Sequence, residues 1–169
     1  WETNLGGMGL YEFDDGAGQI NFGWASSILI YEENVDDFTE HAGNLNINYE
    51  GNQYGVVAGA KWEERVSPLR ADITGNRERD IWTIFGKLNA RPDDQILLEG
   101  GWKWQDQQYE RSVDSILDMS MIDVYGTASW EWEEGQRVLV EYGHTWTNFY
   151  ESAAVPGSLN DGDGNRIMA

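Results

Sequence analysis

The 169-residue chain contains no cysteine, only three prolines, and 11 Lys and Arg against 30 Asp and Glu. Without cysteine there are no disulfide staples and no thiolate metal sites. The shortage of cations leaves a formal net charge of -19 and a pI of about 4.2. Such a chain repels nucleic acid, so no nucleic-acid partner is expected. No apolar run approaches the ~20 residues that a spanning helix needs. A hydrophobic content of 40% and a mean hydropathy of -0.58 agree in excluding a helical membrane protein. A strand escapes that test, because ~10 residues span a bilayer and only every second one must be apolar.

Aromatics and glycine are abundant, with nine Trp, eight Tyr and 20 Gly. They sit inside runs that alternate with a period of two. Ile20, Phe22, Trp24, Ser26, Ile28 and Ile30 alternate with Asn21, Gly23, Ala25, Ser27, Leu29 and Tyr31. Tyr54, Val56, Ala58, Ala60 and Trp62 alternate with Gln53, Gly55, Val57, Gly59 and Lys61. Ile122, Val124, Gly126, Ala128, Trp130 and Trp132 alternate with Asp123, Tyr125, Thr127, Ser129 and Glu131. Alternate residues of a strand point to opposite faces of its sheet. One parity of each run carries no Lys, Arg, Asp or Glu, as a lipid-facing surface requires, and the other parity suits water.

The pattern predicts about eight strands, near 4–13, 20–31, 43–49, 54–62, 80–90, 96–105, 121–132 and 138–150. The first alternates least clearly, and a ninth is expected to begin at Arg166. Short connections (14–19, 50–53, 91–95 and 133–137) carry Gly, Pro, Asn and Asp, the residues of tight hairpins. They alternate with long ones at 32–42, 63–79, 106–120 and 151–165. Trp62, Trp82, Trp102, Trp104 and Trp146 fall near the long-loop ends, and Tyr49, Tyr54, Trp130 and Trp132 near the short-turn ends. Two aromatic girdles flanking a band of small and aliphatic residues, with short turns on one rim and long loops on the other, describe a membrane barrel.

In this the chain resembles bacterial outer-membrane β-barrel proteins of porin-like type, over roughly residues 20–150 and by pattern rather than by a diagnostic motif. The resemblance implies an antiparallel transmembrane β-barrel, or a portion of a larger one, in the bacterial outer membrane. Long loops would lie outside and short turns in the periplasm. In such barrels the first connection is normally a long external loop, whereas here it is short. The chain also begins at Trp1 rather than Met. Residues 1–169 are therefore expected to be a single barrel domain, incomplete at one or both ends.

On the polar parity lie Lys61, Lys87, Glu99, Lys103, Asp123, Glu131, Arg137 and Glu141, expected to line a lumen. There they would either set ion selectivity or pair into a ladder that fills a narrow barrel. Ile81, Phe85, Leu97 and Leu139 share that parity and suggest partial plugging, or contact with a loop or protein inside. The membrane-interface residues are Trp62, Trp82, Trp102, Trp104, Trp130, Trp132 and Trp146. Asp161, Asp163 and Asn165 have the oxygen spacing that starts a calcium loop. Arg166 replaces the required Gly and no Glu follows at the twelfth position, which leaves weak Ca²⁺ binding in an acidic loop. No other cofactor is expected.

Two histidines, His41 and His144, are the only neutral-pH bases. His144 has lipid-facing parity beside Trp146. A hydrolytic triad would need a Ser within its reach, and Ser129 has the wrong parity while Ser26 is distant in strand order. No enzymatic activity is expected. Partners are expected to be the lipid bilayer and small solutes or ions. Two alternatives stand beside a porin-like channel or transport component: a soluble, acidic, secreted β-sandwich that binds a ligand, and a barrel with a purely structural or adhesive role.

Overall fold

The computed structural model describes residues 2–29, 38–68, 76–110, 117–150 and 162–168. They form nine strands: β1 Glu2–Phe13, β2 Gly18–Leu29, β3 Phe38–Glu50, β4 Tyr54–Pro68, β5 Asn76–Asp93, β6 Ile96–Tyr109, β7 Met119–Glu133, β8 Gln136–Phe149 and β9 Gly162–Met168. All belong to one sheet in the order β1 to β9, each antiparallel to the next. Among the described residues β1 and β9 are the edges, so the sheet is open.

Cross-strand partners share a face, so the register sorts every side chain. Phe22 stands opposite Leu45, Leu45 opposite Ala60, Ala60 opposite Ile84, Ile84 opposite Trp104, Trp104 opposite Ile122 and Ile122 opposite Trp146. On the reverse face Lys61 stands opposite Thr83, Lys103 opposite Asp123 and Glu131 opposite Arg137. We call these the aromatic face and the polar face.

Among the described residues no second layer covers either face. Among the described residues only Val66 and Ile81 are buried hydrophobics, and no side chain is fully buried. A β-sandwich stores its apolar residues between two sheets. Here Leu98, Val124 and Val140 stay 43%, 42% and 49% exposed on one sheet, which overturns the sandwich alternative. Every exposed large hydrophobic of the described residues lies on the aromatic face except Met8 and Leu10. Soluble proteins rarely expose a contiguous apolar patch of such extent.

The turns follow the expected chemistry. After β1, Asp14–Gly16 forms a 3₁₀ turn with φ of 54°, 51° and 91°, values that Asp and Gly tolerate best. Asp93 Oδ1 accepts from the backbone N–H of Gln95 and of Ile96, at 2.9 Å each. Gly135, with φ 78°, turns β7 into β8. These connections and the one at 51–53 share one rim. The connections between β2 and β3, β4 and β5, β6 and β7, and β8 and β9 leave from the other.

The strands run further toward the long-connection rim than the sequence suggested. Residues 38–42, 63–68, 76–79 and 106–109 are strand rather than loop. Above Trp62 and Trp82 both parities turn polar, as in Glu63, Glu64 and Arg65 and in Glu78, Arg79 and Asp80. That erases the apolar–polar contrast while leaving the ladder intact. β4 has 15 residues and β5 has 18. Since ~10 span a bilayer, several residues of each stand clear of an apolar band.

β1 is a full strand, registered against β2 along its whole length. Its alternation is hidden because glycine replaces apolar side chains: a Cβ on Gly9 would collide with the Phe22 ring, which occupies that space from β2. β9 begins at Gly162, not Arg166. Gly162, Asp163, Gly164 and Asn165 are therefore paired strand, with Asp163 opposite Trp146 and Asn165 opposite His144. Asp161 lies outside the described residues.

Candidate functional site

The polar face is the surface on which chemistry-bearing groups converge. All eight residues expected to line a lumen lie on it. Four of them form two ion pairs: Lys87 Nζ to Glu99 Oε2 at 2.6 Å, and Lys103 Nζ to Asp123 Oδ2 at 3.0 Å. Thr145 Oγ1 donates to Asp123 Oδ1 at 2.6 Å, so this carboxylate ties β6, β7 and β8 together. Glu131 and Arg137 are opposite in register but not ion-paired among the described residues. Glu131 instead accepts from the Gly135 N–H at 3.3 Å. Glu141 stands opposite Thr127, with Glu99 on the far side of that threonine.

The polar face extends beyond these eight residues. Lys61 pairs with Glu63 at 2.9 Å, and Arg65 reaches the same carboxylate at 2.7 Å. Arg79 follows on β5, directly opposite Arg65. Glu63, Arg65 and Arg79 lie outside the strands expected at 54–62 and 80–90 and fall in the connection expected at 63–79. Sustained period-two placement of charge through Glu63 and Arg65 was the available signal. There is also a neutral stretch on β2 and β3, where Gln19, Asn21, Asn44, Asn46 and Asn48 share the polar face. No charged side chain interrupts it between Glu12 and Glu50 at one rim and Glu2 and Glu40 at the other.

The apolar residues of this face need no plug to explain them. Ile81 is 8% exposed. The Phe85 ring lies over Gly59 of β4, where a Cβ would meet it at 2.5 Å. Leu97 and Leu139 flank Ser129 in one row and help to bury it.

On the aromatic face the indoles gather toward both rims of the sheet. The Trp62 and Trp82 rings are 6.2 Å apart, and Trp62 Nε1 donates to Asp80 at 3.2 Å. An apolar ring with its polar edge turned toward a carboxylate beyond it suits a membrane interface. At the opposite rim the Trp130 and Trp132 rings are 5.3 Å apart, and Trp132 Nε1 donates to Gln136 at 3.1 Å. Trp104 and Trp146 flank Ile122 in one row. Trp102 differs from expectation: it lies one row further in, folded over Gly86. The bare glycine backbone makes room for the indole.

The His144 ring lies against Trp146, tilted by 60° at a centroid distance of 4.0 Å. His41 has neighbours that the sequence did not disclose. It stands opposite both Ser26 and Glu64, and its Nε2 is 4.0 Å from Glu64 Oε2. Among the described residues no hydrogen bond joins Ser26 to His41.

No family model and no curated protein matches the chain. Solved structures do. OmpT, an outer membrane protein of Vibrio cholerae folded in vitro, superposes with a TM-score of 0.56 at 14% identity. The alignment covers 86% of this chain and 46% of that one, so the chain spans less than half the length of the protein it matches. The chain has the fold of an outer-membrane β-barrel, or of a portion of one. At that identity the likeness establishes fold alone, and it agrees with the antiparallel, open meander.

Proposed function

We propose that the chain forms wall of a porin-like channel in the bacterial outer membrane, without enzymatic activity. The aromatic face meets lipid and the polar face meets water, ions and small solutes. One observation carries this reading: exposed apolar side chains and ion pairs are segregated onto opposite faces of a single sheet. Eight strands close around little more than their own side chains. A barrel that includes these nine strands has a wider interior. The carboxylates Glu99, Asp123, Glu131 and Glu141, with the acidic rims, favour cations, and Lys61, Lys87, Lys103 and Arg137 moderate that preference.

The test is reconstitution of the full chain into planar bilayers. Ohmic conductance with a modest cation preference is expected, and the preference should weaken with salt because the Debye length falls to about 10 Å at 0.1 M. Anion preference at low salt contradicts the charge argument. Absence of conductance favours the structural or adhesive role.

A further inference from the structure

The polar face carries one guanidinium whose surroundings are incomplete. Arg79 and Arg65 are direct cross-strand partners, and like charges so placed repel. Arg65 is answered by Glu63, through Nε at 3.2 Å and a terminal nitrogen at 2.7 Å. Glu63 also receives Lys61, so its charge is already shared between two cations. Arg79 has no such answer. One terminal nitrogen contacts only the neutral Gln107 Oε1 at 3.5 Å and Tyr109 Oη at 3.3 Å. Its Nε–H is shielded from solvent and has no acceptor among the described residues. Among the described residues no carboxylate lies within ion-pairing distance of it.

A half-buried guanidinium without an anion is costly, and a planar or tetrahedral oxyanion is its natural complement because the fork offers parallel donors. Space for one is present. A concavity of about 320 Å³ is lined by Arg79 and Arg65 together with Ser27 and the carboxylate residues Glu40, Glu63 and Glu64. Glu40 is partly engaged, since its carboxylate accepts the Val66 N–H at 3.0 Å. Tyr109 Oη also accepts from Gln107 at 3.1 Å, so the two neutral contacts of Arg79 are tied to each other.

We propose that Arg79, seconded by Arg65, is a binding step for a small oxyanion, the carboxylate or phosphate group of a solute, on the polar wall near the long-connection rim. It would act as a local anion foothold in a chain that is strongly acidic overall. Glu40 and Glu63 keep the affinity low, so that the group is held and released. The proposal leans on the porin-like reading only for the idea that the solute passes; binding itself needs no membrane.

The probes are inorganic phosphate and acetate, titrated into the full chain folded in detergent. Saturable binding of either supports the proposal, and which one binds tells phosphate from carboxylate. Arg79→Gln should weaken it at least tenfold, and Arg79→Lys, which keeps charge but loses the fork, should fall between. Phosphate or acetate at saturating concentration should also slow phenylglyoxal modification of Arg79 in the unmutated protein, a readout independent of whether a variant folds. Binding unchanged in Arg79→Gln, or no saturable binding together with no protection, overturns the site. Conductance lost with binding intact would instead sink the channel reading and leave this site standing.

Discussion

Asp123 and Val124 are neighbours in β7, yet they obey opposite rules. Asp123 is held by Lys103 and Thr145. Val124 faces outward, 42% exposed, between Trp102 and His144. One residue of translation along a strand exchanges a salt-bridged surface for an apolar one. The contrast shows why the chain can be hydrophilic on average and still suit a bilayer: only one parity is asked to be apolar. A second contrast lies within the polar face. Its β4–β8 part is held by ion pairs, whereas its β2–β3 part presents neutral amides.

The first contrast is broken most forcefully by moving charge across it. Val124→Arg puts a guanidinium on the aromatic face at mid-height and should cost roughly 2–4 kcal/mol in a bilayer. Thr127→Arg, on the polar face between Glu99 and Glu141, should cost far less. Urea titration in lipid vesicles measures both. Equal costs would mean that the faces are not distinguished by lipid.

The contrast within the polar face predicts smaller effects. Asp123→Asn leaves Lys103 without its partner. With Lys103 40% and Asp123 29% exposed, the stability loss should be about 0.2–1 kcal/mol, and reversal potentials should move toward anions. Asn46→Asp introduces the first charge into the amide part and should move them toward cations with little change in stability. If neither substitution alters selectivity, the polar face does not line the conducting path.

The smallest effect is at the rim. Glu78 and Glu110 lie side by side where β5 meets the end of β6, with the Glu110 N–H on the Glu78 carbonyl at 3.1 Å. The hydrogen bond to Glu78 pushes the Glu110 carboxyl above its ordinary value of 4.5. A raised folded-state pKa means stability that is present when the group is protonated and is lost as pH rises through the raised value. Glu110→Gln mimics the protonated form. Its urea midpoint should match the unmutated chain in acid and exceed it slightly at neutral pH. An unchanged difference across the whole range would show that the two carboxylates do not interact.

Much of the fold was legible because period-two alternation is a local signal. Ile122 through Trp132 announce both a strand and its faces without any long-range information. Charge parity placed Lys103 and Asp123 on one face, and antiparallel register then set them opposite each other. Legibility failed where the contrast between parities fades. Glu63, Arg65 and Arg79 were lost because both faces are polar above the indoles. The glycines of β1 concealed an apolar face that Phe22 completes from the next strand. His41 beside Ser26 and Glu64 could not be found from spacing along the chain, since register alone creates that row. Trp102 lies further from the rim than expected because β6 runs on to Tyr109, and Gly86 makes room for its ring.

The central claim is that the two parities meet different solvents. The absence of native cysteine allows a direct measurement with single-cysteine variants at adjacent positions, Thr127→Cys on the polar face and Ala128→Cys on the aromatic face. Each would carry an environment-sensitive fluorophore in the full chain reconstituted into vesicles. Lipid-attached quenchers should quench the probe at 128 and spare that at 127, while a water-soluble quencher should do the reverse. Equal quenching of both probes from the same phase would contradict the account.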